Sequence, residues 1–145
     1  MTFVWSSVRL LQTKNLKNYP QIRRKIWTRK TVFINAFGWF IFILAYEFLF
    51  RGILLFPLLD SIGVWPAIAI NSSLYAATHI PKGVEETIGA LLFGTLICVI
   101  TIISGSIWVA FIAHLTIAWT NSFTALKYHP SIHFYSIPKW HQTSF

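Results

Sequence analysis

Charge is scarce in this chain. Asp, Glu, Lys and Arg make up 11% of its 145 residues, and apolar types make up 55%. Soluble domains carry about 25% charged residues, so this balance, with its positive mean hydropathy, excludes an ordinary soluble domain. Acid is scarcer still, with four Asp and Glu against twelve Lys and Arg. Cysteine occurs once, which excludes an internal disulfide. Cys98 lies in an apolar run and reads as a small buried residue. The first apolar stretch, residues 2–5, is too short for a signal-peptide core and no small-residue cleavage pattern follows, so no cleavable leader is expected. Between Phe33 and Leu59 the only ionisable side chains are Tyr46, Glu47 and Arg51.

What remains reads as a membrane protein. At about 20 residues per span the length allows four or five helices in one domain. Thirteen Phe and seven Trp suit a lipid-facing bundle with interfacial belts. Eight basic residues (Arg9, Lys14, Lys17, Arg23, Arg24, Lys25, Arg29 and Lys30) precede the first long apolar run. Beside a span they read as an orientation signal and a contact with anionic lipid, not as a nucleic-acid surface.

Taken in order, residues 1–30 form a basic amphipathic segment, broken by Asn18-Tyr19-Pro20. A first span is expected over 31–59 and ends at Pro57 and the group Asp60-Ser61-Ile62-Gly63. A shorter helix over 65–79 carries Asn71, Ser72, Ser73, Thr78 and His79, so one of its faces should look into protein. A third runs over 84–103, with Glu85 and Glu86 at the positive end of its dipole and with Gly89, Ala90 and Gly94 as a small-residue packing face. A fourth runs over 107–126. The tail, 127–145, holds His129, His133 and His141, which read as interfacial residues; Pro130 and Pro138 argue against another span. The fold expected is an all-α polytopic membrane bundle of about four transmembrane helices over 31–126. The connections at 60–63 and 104–106 lack Lys and Arg, so both termini are expected in the cytoplasm, with the bacterial inner membrane as the default location.

Glu47 and Arg51 are four apart and share a helix face. A charge at membrane depth costs roughly 2.5–3.5 kcal/mol on insertion scales and usually faces a bundle interior. His79 and His114, on two other helices, are its possible companions. A carboxylate and an imidazole can hold a water and take its proton, and a second imidazole can meet an oxyanion. The same trio, Glu47, His79 and His114, is also a catalytic zinc set, or a proton relay in a small transporter subunit. The alternative is that each group is a polar residue satisfied by its neighbours, a reading weakened by three such groups on three helices with Arg51.

Three stretches carry a resemblance: Glu47-Phe48-Leu49-Phe50-Arg51-Gly52, Leu74-Tyr75-Ala76-Ala77-Thr78-His79, and Gly105-Ser106-Ile107-Trp108 leading to His114. Together they resemble the motifs Glu-Glu-x-x-x-Arg, Phe-x-x-x-His and His-x-x-x-Asn of the CAAX-processing and bacteriocin-processing (CPBP or ABI) intramembrane endopeptidases, over roughly 40–122. The resemblance implies a transmembrane bundle that cleaves peptide bonds of membrane-associated, CAAX-type or leader-peptide substrates. It implies that His79 and a carboxylate, Glu47 as first choice, activate water, that His114 polarises the carbonyl, and that Arg51 orients Glu47. No cofactor is required in this reading; zinc held by Glu47, His79 and His114 is the alternative. The chain departs from the pattern in three ways. Tyr46 stands at the first motif glutamate, Tyr75 at the motif-two Phe, and Ala118 at the motif-three Asn, for which Asn121 is a distant substitute. Those departures suit a catalytically silent relative acting in bacteriocin immunity or as a membrane binding protein. A short chain of this kind is also compatible with a homo-oligomer.

Overall fold

The structure is a computed structural model that describes residues 20–22, 24–129 and 131–134. Most of the expected amphipathic segment, and His141, lie outside the described residues. Helix α1 (Arg29–Glu47), a π-helical stretch (Phe48–Leu55) and α2 (Phe56–Ile62) follow one another without a break. They make one apolar helix of 34 residues, about 50 Å at 1.5 Å per residue, well beyond the roughly 30 Å of a bilayer core. Helices α3 (Val64–Ala77), α4 (Val84–Ser104) and α5 (Ile107–Tyr128) complete the set, with a 3₁₀ turn at Ile80–Lys82. Counting Arg29–Ile62 as one, three helices among the described residues are long and apolar enough to cross a membrane. The remaining one, α3, has 14 residues, or about 21 Å.

Pro57 does not end the first helix as expected. A proline inside an α-helix clashes with the carbonyl four residues back, but Pro57 falls in the first turn of α2, just after the wider i→i+5 turns. The chain breaks at Gly63, the last residue of the expected terminating group, where φ is +82°, a value that favours glycine. His79 likewise lies beyond α3, in the turn that follows it.

Trp39–Ala118 makes one compact unit, and Met1–Gly38 with Trp119–Phe145 makes the other. In the second, Asn35 donates to Ser122 Oγ at 2.8 Å and Trp119 Nε1 donates to the Ala36 carbonyl at 3.1 Å, joining the start of α1 to the end of α5. Two residues of β1 (Ile26–Trp27) pair in parallel with β2 (His133–Phe134). No alternation in the sequence announces this short bridge.

In the Trp39–Ala118 unit, Leu55, Ala67, Ile68 and Cys98 form one core cluster, and Phe50, Tyr75 and Ala90 another. Cys98 is buried and free. The small-residue face of α4 is Ala90 and Gly94, both buried; Gly89, one position back and about 100° round the helix, is exposed. A Cβ on Gly94 would stand 3.0 Å from Tyr75 Cδ1, whereas one on Gly89 would meet nothing within 4 Å. Gly94→Ala is therefore expected to destabilise by about 1–3 kcal/mol, while Gly89→Ala gains up to about 1 kcal/mol of helix propensity. Thermal unfolding of the two variants in detergent checks this; equal midpoints would mean that the Tyr75 ring gives way.

Candidate active site

Residues 71, 75 and 79 are spaced four apart, so Asn71 and Tyr75 share one face of α3 and His79 follows in line. Asn71 and Tyr75 are buried, while Ser73 and Leu74 are exposed. The long helix presents Glu47 and Arg51 towards this face, both with side chains 0% exposed, and α5 contributes His114.

Glu47 is held at both oxygens. His114 Nδ1 stands 2.6 Å from Oε1, and Arg51 Nε stands 3.3 Å from Oε2. The first is a short, charge-assisted contact. The second is an ion pair whose angle falls short of a hydrogen bond. Arg51 also donates from Nη1 to Asn71 Oδ1 at 3.2 Å and lies over the Tyr75 ring, 4.6 Å from its centroid, a cation–π contact that offsets part of its desolvation. Among the described residues, Arg51 Nη2 and Thr101 Oγ1 are buried without a hydrogen-bond partner.

Asn71 is the hub beneath the pair. Its Nδ2 donates to the Phe50 carbonyl at 2.6 Å, inside the π-helical stretch, and its Oδ1 also accepts from Cys98 Sγ at 3.2 Å. Sequence reasoning marked Asn71 only as a polar residue facing protein. Its spacing from Tyr75 and His79 is the signal that links it to the site.

The Tyr75 hydroxyl lies 3.2 Å from His114 Nδ1 and 3.5 Å from Nε2. Both imidazoles pack on the Tyr75 ring, with centroids 5.3 Å away for His79 and 5.7 Å for His114. His79 Nδ1 is 3.1 Å from the Tyr75 carbonyl and 3.1 Å from Thr78 Oγ1. A donor is needed against a carbonyl, so Nδ1 carries the proton and Nε2 keeps its lone pair. Burial pushes the His79 pKa below 6.5, with the backbone contact, Lys82, His114 and Glu86 as smaller influences.

Glu47, Arg51 and His114 thus meet, while His79 reaches this group through Tyr75. Glu47 bonds directly to His114, and Tyr46 bonds Thr78 Oγ1, the residue before His79, at 2.6 Å through its hydroxyl. The physical reason is the one-residue offset between Tyr46 and Glu47, which puts them on different sides of the helix. Among the described residues, no three His, Cys, Asp or Glu side chains gather in a way that could hold a metal ion. Glu86 is half-buried and its charge is felt at His79; Glu85 is exposed. Asn121 falls outside the Trp39–Ala118 unit.

The family model for the type II CAAX prenyl endopeptidase, Rce1-like, matches residues 20–120, which takes in Glu47, Arg51, Asn71, Tyr75, His79 and His114. No curated protein and no solved structure gives a match.

Proposed function

Since the chain belongs to the type II CAAX prenyl endopeptidase Rce1-like family, a family of membrane proteases, we propose that it is itself an intramembrane endopeptidase, hydrolysing a peptide bond of a membrane-associated, CAAX-type substrate. The observation that carries this reading is the 2.6 Å contact between Glu47 and His114 in an apolar bundle, braced by Arg51. Glu47, engaged at both oxygens, orients His114 and keeps its proton on Nδ1. His114 Nε2 then acts as the base. His79, with its own Nε2 lone pair, holds the same water by accepting its second hydrogen. The water oxygen bonds to the scissile carbonyl carbon and its proton passes to His114. The C–N bond breaks as that proton is delivered to the leaving amine. Arg51 is a positioning residue that holds the second oxygen of Glu47 in place.

The test is turnover of a prenylated CAAX-type peptide by purified, reconstituted protein, beside His79→Ala. Activity above that variant is expected; equal background from both would end the protease reading.

The depressed pKa of His79 fixes a pH dependence. Its neutral form is the one that accepts a hydrogen, so kcat/KM should be flat at pH 7 and fall as the pH drops below 6.5 through the folded value. Stability moves the same way: in that window the unfolded chain binds the extra proton, so acid favours unfolding. A pH–rate profile that keeps its acid limb in His79→Gln would assign the titration elsewhere.

One observation favours a second reading, a catalytically silent relative that binds membrane partners. His79 has Tyr46 and Thr78 beside it and no hydrogen-bonded carboxylate among the described residues. The same turnover assay separates the two.

A further inference from the structure

All four acidic residues, Glu47, Asp60, Glu85 and Glu86, fall within Trp39–Ala118. The other unit, built from the two ends of the chain, contains none. In it lies a cavity of about 210 Å³ whose lining includes Arg24, Lys25, His129 and Ser131, with Ile22 and Ile132.

The lining is more apolar than polar, and the polar side chains among its residues are rich in donors. His129 Nδ1 accepts from the Ser131 backbone N–H at 3.3 Å and lies 2.9 Å from its hydroxyl. The ring proton is therefore on Nε2, which makes it a donor. Arg24 and Lys25 add a guanidinium and an ammonium. Their backbone is fixed independently of their side chains: the Arg24 carbonyl accepts from Trp27 Nε1 at 2.8 Å, and the Lys25 carbonyl accepts from the His133 N–H at 2.7 Å. Trp27 itself is fully buried. With no Asp or Glu in the unit to compete, the partner such a set calls for is an anion.

Position narrows the anion. Arg24 and Lys25 stand just before α1 begins at Arg29, and His129 and Ser131 stand just after α5 ends at Tyr128. Both helices belong to segments long and apolar enough to cross a membrane, and α5, about 33 Å long, matches a bilayer core, so the cavity just past its end falls at the level of lipid phosphates. Its volume suits a phosphate with its nearest atoms and is below that of the usual small-molecule pocket. We infer that this cavity binds the phosphodiester of an anionic glycerophospholipid headgroup. The inference is independent of the proposed hydrolysis, since none of these residues belongs to the Trp39–Ala118 unit.

The experiment is native mass spectrometry of the full chain released from nanodiscs containing equal phosphatidylglycerol and phosphatidylcholine. A retained phosphatidylglycerol adduct is expected. Arg24→Gln with Lys25→Gln should weaken it about tenfold. Arg29→Gln with Lys30→Gln removes as much charge from outside the lining and should change it by less than about twofold. Equal losses in the two double variants, or no preference over phosphatidylcholine, would overturn the site in favour of diffuse surface charge. A second arm titrates inorganic phosphate against chloride at constant ionic strength on delipidated protein. Thermal stabilisation of the wild type but not of the Arg24/Lys25 variant, without a lipid adduct, would make free phosphate the ligand and sink the headgroup assignment.

Discussion

Glu47→Gln is expected to lower turnover of a CAAX-type peptide by about 10²–10⁴-fold and to lower thermal stability in the same protein. The amide loses the charge that holds the His114 Nδ1 proton at 2.6 Å. It also leaves Arg51 buried beside a neutral group, and breaking one side of a buried pair typically costs about 3–5 kcal/mol. The two effects are separable. Removing both charges, as in Glu47→Gln with Arg51→Met, takes away the unpaired cation, and buried pairs replaced by apolar groups are often close to neutral in stability. The double variant should therefore melt near the wild type and still fail to turn over. Near-normal activity in folded Glu47→Gln would remove Glu47 from the mechanism. Recovery of activity in the double variant would assign the loss to instability alone.

The second large effect lies outside the titratable groups. Asn71→Ala removes one side chain and takes a hydrogen bond from three partners, the Phe50 carbonyl, Arg51 Nη1 and Cys98 Sγ, of which Cys98 keeps its contact with Ser72 Oγ. A buried polar group left without its partner costs about 1–3 kcal/mol. The sum, about 3 kcal/mol or more, should lower the thermal midpoint by on the order of 10 °C in a chain of this size. Circular dichroism of the purified variant in detergent would read it, and a shift of only one or two degrees would show that the π-helical stretch holds its shape without Asn71. Because Arg51 loses a hydrogen bond in the same change, activity should fall together with stability.

Much of this was legible in the residues. The scarcity of charge and the apolar runs gave the helices, and Glu47–Arg51 at four residues apart in an apolar run gave the pair. The polar face of α3 followed from Asn71 and Ser72, which are buried. What could not be read was long-range or register-dependent. Glu47 and His114 are 67 residues apart, and no local pattern says which carboxylate an imidazole will choose. Pro57 looked like a stop because proline inside an α-helix usually is one; the π-helical stretch that accommodates it has no compositional mark. The strand pair at 26–27 and 133–134 is too short to show an alternation.

The π-helical stretch Phe48–Leu55 also bears on how relatives of this chain can be compared. A turn closed from i to i+5 holds one residue more than a turn closed from i to i+4, so it is the form in which a helix stores a single-residue insertion without unravelling. Two homologues can then differ by one position in the interval between carboxylate and arginine and still offer both groups to the same neighbours. Across such a stretch, equivalence belongs to the wall a side chain faces, not to its place in the string of letters.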